Sequence, residues 1–383
     1  MSVTAARGFR AAGVAAGLKA SGKPDVAVVV NDGPSRVAAG VFTSNRCKAN
    51  PVIWSQEAIK TGRASAVVIN SGGANCYTGP EGFATTHRTA ELAAQKLGVG
   101  AVEVQVCSTG LIGLLNDRDD LLAGVGAAID SLSPDGGHAA ATAIMTTDTV
   151  AKESVWTNGG WTVGGMAKGA GMLAPALATM LVTITTDADV DQATADHALR
   201  AATAATFDRL DSDGCQSTND TVLLLASGSS GISPSVDELT EAVTAVCRDL
   251  ALQLLADAEG ADHEITIDVI NAATEADALE VGRSIARSNL FKCAIFGKDP
   301  NWGRILASVG TTRAAFDPAD LDVAMNDVWV CRASGPAESV DLVDLGPRDV
   351  SITVDLKAGT ERATIWTNDL THAYVHENSA YST

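Results

Sequence analysis

The segment at residues 164–183 reads GGMAKGAGMLAPALATMLVT, and it constrains the fold more than any other part of the chain. A lysine set among glycines leads to an Ala-Pro pair, and Thr179 follows four residues after that proline. The apolar, β-branched run at 181–185 comes directly afterwards and predicts a buried strand.

A small residue and then a hydroxyl residue at the mouth of such a strand suit a chain that cuts itself at Ala178/Thr179. The cut would free the α-amine of Thr179, which can serve as general base for its own hydroxyl. Taken alone, the pattern also fits an ordinary threonine at the start of a strand, so other motifs must decide.

Length and charge limit the classes of protein to which the chain can belong. With 383 residues, of which 46% are apolar, it is expected to form about two or three structural units. The formal net charge of −19 argues against nucleic acid or anionic membrane as a partner held by general electrostatics. An anionic substrate would need positive charge placed locally in its site.

The cysteines indicate a reducing compartment. Their number, seven, is odd and no CxxC pair occurs, so neither a disulfide framework nor a zinc ribbon is predicted. Buried free thiols in a reducing cytosol are the simpler interpretation. The N-terminal residues lack the apolar core of a signal peptide, and no apolar stretch approaches the ~18–20 residues of a membrane span. The sequence therefore predicts a cytoplasmic protein.

Strand-like and helix-like segments alternate along the chain, which predicts an α/β fold with sheets covered by helices. Strands are expected at 25–30, 66–69, 102–106, 263–269, 321–331, 350–356 and 362–367, and a β-rich section at 154–187. Helices are expected at 84–97, 118–131, 237–256 and 274–287. The strand at 102–106 is expected to break into a turn at Ser108-Thr109-Gly110. A Ser-x-x-Glu capping box, Ser235 to Glu238, opens the helix at 237–256.

Several motifs occur together in the order typical of one family. They are 7–9 (RGF), 70–75 (NSGGAN), 107–113 (CSTGLIG), 143–149 (AIMTTDT), 168–181 (KGAGMLAPALATML), 257–260 (DAEG), 297–304 (GKDPNWGR) and 377–381 (ENSAY). Through these motifs the chain resembles the ornithine acetyltransferases, also called glutamate N-acetyltransferases, of the arginine pathway. The resemblance covers essentially the whole length.

The resemblance implies a layered α/β/β/α-type sandwich of the N-terminal-nucleophile kind, self-cleaved into two chains. An α chain, 1–178, would carry the oxyanion hole and part of the substrate pocket. A β chain, 179–383, would carry the N-terminal threonine and the remainder of the pocket. The family likeness also implies a heterotetramer of two α and two β chains.

The same resemblance implies acetyl transfer from N2-acetyl-L-ornithine to L-glutamate, which gives L-ornithine and N-acetyl-L-glutamate for arginine biosynthesis. Thr179 would be the nucleophile, and an acetyl-Thr179 ester would link the two halves of a ping-pong mechanism. Thr109 and Gly110 match the family's oxyanion hole, made of a threonine hydroxyl and a glycine N–H. The positions that match the family's substrate-binding residues are Thr146, Lys168, Thr179, Glu259, Asn378 and Thr383. Of these, Lys168 suits a substrate carboxylate and Glu259 suits the ammonium of ornithine.

Other candidate sites are weaker. His372 and His376 have the i, i+4 spacing of a metal pair on a helix, but no third ligand is evident, so no metal is predicted. Cys76 and Cys107 stand beside glycine-rich turns, yet no local signature pairs either with a histidine, and buried thiols fit better. The glycine loop at 164–171 lacks the ending of a phosphate loop. No cofactor is therefore expected, and acetyl-CoA as a further acetyl donor stays open.

Two other functions stay open as alternatives. An N-terminal-nucleophile aminopeptidase or amidohydrolase of similar fold would not explain Lys168 and Glu259 together. A non-catalytic relative that binds small amino acids would leave the chain uncut. Ala151 departs from the family, which usually has proline there, but the change removes no catalytic group. A specialised secondary pathway, rather than arginine synthesis, also fits the residues.

Overall fold

The computed structural model describes residues 2–172 and 180–380 and divides into two compact units. The first unit comprises Met1–Asp208 and Cys215–Asp257, and the second comprises Arg209–Gly214 and Ala258–Ser382. Ala178, Thr179 and Thr383 lie outside the described residues. The division into chains 1–178 and 179–383 concerns a cut peptide bond, and it stays a prediction.

The first unit contains nine strands and six α-helices among its described residues. The strands are β1 Phe9–Val14, β2 Val26–Asn31, β3 Val37–Phe42, β4 Ala66–Gly73, β5 Val104–Leu111, β6 Lys152–Asn158, β7 Trp161–Lys168, β8 Leu181–Thr186 and β9 Thr221–Ala226. The helices are α1 Asn50–Ala58, α2 Gly79–Leu97, α3 Arg118–Asp130, α4 Gly137–Ala143, α5 Gln192–Ala205 and α6 Val236–Ala256, with 3-10 turns at Ile59–Thr61, Ala101–Glu103 and Phe207–Arg209.

These elements stack in four layers. One sheet has the strand order β1-β2-β4-β5 and the other has the order β3-β9-β8-β7-β6. A single apolar core, with Ile69 and Leu223 among its members, lies between the two sheets. Helices α2 and α3 cover the outer face of the four-stranded sheet, and α5 and α6 pack on the five-stranded one. The predicted α/β/β/α-type sandwich is confirmed.

Strand β2 shows why the sequence folds this way. All six of its residues are buried. Ala27 and Val29 point into the core between the sheets, whereas Val26, Val28 and Val30 pack against the helices α2 and α3. A strand with both faces covered favours a nearly continuous run of apolar residues, because successive side chains point to opposite faces.

Strands β4 and β5 run further than predicted. The expected turn at Ser108-Thr109-Gly110 is wrong, because β5 continues to Leu111 and pairs in parallel with β4 through Gly73. Gly110 has a φ of +126°, and a Cβ at this position would lie 2.6 Å from the carbonyl group of Gly72. The glycine that signalled a turn is therefore required by a close approach of two backbones.

The second unit contains one described sheet and four described α-helices. The strands are β10 Glu264–Ala272, β11 Asp322–Met325, β12 Val328–Arg332, β13 Gly335–Pro336, β14 Asp349–Asp355 and β15 Glu361–Asn368. The helices are α7 Glu275–Ala286, α8 Asn289–Phe296, α9 Trp302–Val309 and α10 His372–Ala380, with a 3-10 turn at Val340–Leu342. The sheet order is β13-β12-β11-β14-β10-β15, and β10 packs Ile265 and Ile267 against Val281 and Ile285 of α7.

Several local predictions can be checked directly. The capping box of Ser235 and Glu238 is present at the start of α6, and the Thr274 side chain caps α7. The single strand expected at 321–331 is wrong, because it is the hairpin β11–β12. Asn326 and Asp327 form its turn with φ values of +45° and +64°, which these residue types tolerate better than most. None of the described helices is long and apolar enough to cross a membrane.

Candidate functional site

A buried lysine and a buried threonine meet at the edge of the two sheets of the first unit. Lys168 ends β7, Thr109 lies near the end of β5, and each is only 1% exposed. The Nζ atom of Lys168 donates to Oγ1 of Thr109 across 3.2 Å. Because the hydroxyl accepts from an ammonium, its own proton is polarised and free to be donated to a second acceptor.

The register of β7 and β8 relates Lys168 to the strand that begins two residues after Thr179 in the sequence. Lys168 is directly opposite Leu181 in the antiparallel pair, and Leu181 follows Thr179 by two residues. Leu181 is also opposite Thr221 in the parallel pair of β8 and β9. Strand β8, which begins two residues after Thr179, is thus hydrogen-bonded to β7 on one side and to β9 on the other.

Asn219 fixes the backbone around the predicted oxyanion hole. Its buried Nδ2 atom donates to the carbonyl oxygens of Ala74 and Ser108, at 2.6 and 2.7 Å. Ser108 immediately precedes Thr109, so one amide group ties the end of β5 to the segment that follows β4. Asn219 was not predicted from the sequence, although a polar residue just before the apolar strand β9 was a usable signal.

Asp220 is a second residue near the site that was not predicted from the sequence. It is fully buried, and its Oδ1 atom accepts the amide proton of Met180 at 3.0 Å. Burial raises the pKa of the Asp220 carboxyl well above its usual range, and the Met180 N–H, Ser217 and the charge of Lys168 oppose that shift only partly.

Positive charge collects locally in the first unit despite the acidic composition. Burial lowers the pKa of Lys19 to about 8, and the nearby charge of Lys168 acts in the same direction. The Nζ atom of Lys19 donates to the carbonyl oxygen of Met145 at 2.7 Å, next to the half-buried Thr146. An anionic substrate requires such a local cationic region in a protein whose net charge is −19.

Asp148 counters this charge. Burial alone would raise the pKa of its carboxyl, but Lys168, Lys152 and the Gly169 N–H together lower it to about 2. The carboxylate is therefore ionised throughout the neutral range. Among the predicted site residues, the described part of the first unit thus brings together Thr109, Gly110, Thr146 and Lys168.

Two further predicted site residues belong to the second unit. Glu259 lines a cavity of about 300 Å³ within that unit, together with Arg287, Lys292 and Asp369. Burial lowers the pKa of Lys292, whose ammonium donates to the carbonyl oxygen of Ser212. The cavity therefore presents both signs of charge, as a zwitterionic amino acid requires.

Asn378 lies on the exposed helix α10. Its Nδ2 atom donates to the carbonyl oxygen of Tyr374 in the preceding turn, at 3.0 Å. The structure of the second unit therefore gives Asn378 a helical partner and does not place it in the cavity lined by Glu259.

The alternative nucleophiles and ligands can also be placed. Cys107 is buried in β5, and burial raises the pKa of its thiol to about 12, so it is a weak nucleophile at neutral pH. Burial likewise raises the pKa of Cys76. His372 and His376 both lie on α10, and no group of three or more metal-ligating side chains occurs within residues 2–172 and 180–380.

Comparisons with known proteins identify the family to which the chain is similar. The model of the ArgJ family matches residues 10–383. The arginine biosynthesis bifunctional protein ArgJ of Streptomyces coelicolor is 65% identical over 382 residues, with 100% of both chains covered. The solved arginine biosynthesis bifunctional protein argJ of Bacillus halodurans is 33% identical with a TM-score of 0.50, covering 52% of this chain and 98% of the solved one. A solved ornithine acetyltransferase of Mycobacterium tuberculosis, complexed with ornithine, is 55% identical with a TM-score of 0.45, covering 47% of this chain and 96% of the other.

Proposed function

The chain belongs to the ArgJ family, and on that premise we propose that it transfers an acetyl group from N2-acetyl-L-ornithine to L-glutamate. The observation that carries the proposal is the buried contact of Lys168 Nζ with Thr109 Oγ1 at 3.2 Å. It combines a cation for a substrate carboxylate with a polarised hydroxyl for an oxyanion. Acyl transfer between two amino acids needs both groups in one place.

Self-cleavage prepares the nucleophile. The Thr179 hydroxyl attacks the carbonyl carbon of Ala178, the C–N bond breaks, and the nitrogen takes up a proton to become the α-amine. Water then hydrolyses the new ester, which releases the Ala178 carboxylate and restores the hydroxyl. The solved Bacillus halodurans chain corresponds to about half of this one, as a cut near the middle would give, and this supports the step.

Acetyl transfer then follows in two half-reactions. The α-amine of Thr179 takes the proton of the Thr179 hydroxyl, whose oxygen attacks the acetyl carbon of N-acetylornithine. The Thr109 hydroxyl and the Gly110 N–H donate to the oxyanion of the tetrahedral intermediate. The proton passes to the departing amine of ornithine, which leaves an acetyl ester on Thr179. The amine of glutamate attacks that ester, and N-acetylglutamate departs as the threonine hydroxyl regains its proton.

Two charged side chains, Lys168 and Glu259, recognise the two charged groups of N-acetylornithine. Lys168 and Thr146 bind the α-carboxylate that N-acetylornithine and glutamate share. Glu259 pairs with the distal ammonium of ornithine, and its position in a cavity of mixed charge supports that role. The family resemblance assigns substrate-binding roles to Asn378 and Thr383 as well. The reaction uses side chains and backbone groups of the protein, and it needs no metal or organic cofactor.

A second activity is acetylation of glutamate from acetyl-CoA. The word bifunctional in the names of the relatives supports it. Both donors would form the same acetyl ester on Thr179, so one nucleophile serves both reactions. Incubation of the purified protein with glutamate and acetyl-CoA as sole donor tests this activity, and formation of N-acetylglutamate is the expected result.

The working form is a heterotetramer of two α and two β chains in the cytoplasm, where the arginine pathway supplies its substrates. The strongly acidic composition, with a net charge of −19, supports a protein that stays in solution as a discrete assembly. A mass of the native assembly that equals two copies of each fragment would support this state.

The test of the main proposal compares the wild type with Thr179→Ala and Thr179→Ser. A denaturing gel and an assay with N-acetylornithine and glutamate report cleavage and transfer. We expect the wild type to run as two fragments and to form N-acetylglutamate, Thr179→Ala to lose both, and Thr179→Ser to keep part of each. An aminopeptidase would instead release amino acids from peptides, and an intact wild-type band without transfer would favour a non-catalytic binding protein.

A further inference from the structure

The carboxylate of Asp148 organises the cationic part of the first unit. Its side chain is completely buried, and both oxygens accept hydrogen bonds. Oδ1 accepts from the Lys152 ammonium at 2.7 Å and from the Gly169 N–H at 2.6 Å. Oδ2 accepts from the Thr146 N–H at 2.9 Å and lies 3.5 Å from the Thr146 hydroxyl.

Two of these partners connect directly to the proposed carboxylate site. Thr146 is itself one proposed contact, and Gly169 is the residue after Lys168, the other proposed contact. Gly169 has a φ of +151°, which residues with a side chain rarely adopt, so the chain direction after Lys168 depends on this bond. The segment between α4 and β6, which holds Thr146, has no regular hydrogen-bonding pattern of its own.

Lys152 links Asp148 to a second carboxylate, that of Asp257. Lys152 donates to Asp257 at 2.6 Å as well as to Asp148. Asp257 in turn accepts from the N–H of Thr149 at 3.0 Å and from its hydroxyl. The segment at 146–149 is thus held by one carboxylate at each end, and Lys152 bridges the two.

We propose that Asp148 is a positioning residue, which sets Thr146 and Lys168 at the spacing that recognises the α-carboxylate of the substrate. The inference rests on the proposed function for the statement that these two residues meet that carboxylate. Asp148 itself does not contact the substrate, and it acts through the backbone of Thr146 and of Gly169, the residue after Lys168.

Asparagine cannot replace this carboxylate. Donors face both oxygens of Asp148, whereas an asparagine side chain has only one acceptor oxygen and presents N–H groups on the other side. Asp148→Asn must therefore release either Thr146 or the pair of Gly169 and Lys152. Displacement of a substrate-positioning group by about 1 Å can cost roughly 100-fold in rate.

Asp187 provides a matched control. It too is buried, and it accepts from the Thr162 N–H at 2.7 Å and from the backbone and side chain of Arg7 at 3.3 and 3.0 Å. Asp187 directly follows the C-terminal end of β8, whereas Lys168 pairs with Leu181 at the start of that strand. Asp187→Asn therefore removes a comparable buried carboxylate without touching the proposed carboxylate site.

The experiment measures kcat and KM for N-acetylornithine and for its carboxamide analogue, which lacks the α-carboxylate. For Asp148→Asn, we expect kcat/KM with N-acetylornithine to fall roughly 100-fold, mainly through KM. For the carboxamide, kcat/KM is already low in the wild type and should fall only severalfold in Asp148→Asn. For Asp187→Asn, we expect kcat/KM with both substrates to equal that of the wild type. Equal losses for the two substrates, or the same pattern in Asp187→Asn, would overturn the proposal.

Two additions keep the test decisive. If Asp148→Asn does not fold or cleave, Lys152→Gln takes its place, since it loosens Asp148 without removing it, and a smaller loss restricted to the carboxylate substrate is expected. Calorimetry with ornithine and with ornithinamide measures the preference for the α-carboxylate by binding alone, in the wild type and in the variant. A wild type that binds but transfers nothing contradicts the proposed function alone, whereas an unchanged preference in the variant contradicts only the role of Asp148.

Discussion

The buried carboxyl group of Asp220 accepts the amide proton of Met180, with 3.0 Å between Oδ1 and the nitrogen. Met180 directly follows Thr179, so this bond fixes the backbone on the C-terminal side of the proposed nucleophile. Because Asp220 is fully buried, no solvent molecule can replace the carboxyl group without rearrangement of β8 and β9.

Asp220→Asn should leave folding and self-cleavage nearly unchanged, because asparagine also offers an oxygen to the Met180 N–H. Asp220→Ala leaves that N–H unpaired and should destabilise the protein by about 1–3 kcal/mol and slow cleavage. Melting temperature and a timed denaturing gel measure the two effects. If Asp220→Asn folds normally but cleaves as slowly as Asp220→Ala, the role described here is wrong and a titrating proton on Asp220 takes part.

Asn219→Ala should lower kcat of acetyl transfer by roughly 100-fold, because Ser108 and hence Thr109 lose their anchor. The matched control is Asn31→Ala. Asn31 is equally buried, its Nδ2 atom also donates to two carbonyl oxygens, and it lies at the end of β2 opposite the site. The two variants should lose similar stability, but only Asn219→Ala should lose activity. Equal activity in both would show that Asn219 does not support the oxyanion hole.

Asp148 should contribute to the loss of folding stability at acidic pH. Its pKa is about 2 in the folded protein, whereas an aspartate in an unfolded chain has a pKa of about 3.9. The ionised group therefore stabilises the fold above about pH 4, and that contribution, of the order of 2 kcal/mol, is lost as the pH falls towards 2. Thermal melts between about pH 6 and pH 2 should show a smaller acid loss for Asp148→Asn than for the wild type. Parallel curves would contradict the assignment.

The general fold could be predicted because its causes are local. Alternating apolar and β-branched runs mark β2, β8 and β10, and the Ser235 capping box marks the start of α6. The glycine near the site led to a wrong prediction. Gly110 normally signals a turn, but here it permits two backbones to approach, and that requirement comes from a partner strand far away in the sequence.

The candidate site could be predicted only where a motif carried it. Thr109 and Lys168 were found through the family resemblance, and the structure of the first unit brings them within hydrogen-bonding distance. Asp148, Asn219 and Asp220 escaped because their importance depends on burial and on partners in other elements. A sequence gives the charge of Asp148 but cannot show that a lysine, a glycine N–H and a threonine N–H converge on it.

The most direct test of the central claim is the mass of the trapped intermediate. Purified wild-type protein is mixed with N-acetylornithine in the absence of glutamate, quenched in acid and digested for mass spectrometry. The account predicts a peptide that begins at Thr179 and carries one added acetyl group, which disappears when glutamate is supplied before the quench. An active preparation in which Thr179 is still joined to Ala178, or in which the acetyl group sits on another residue, would contradict it.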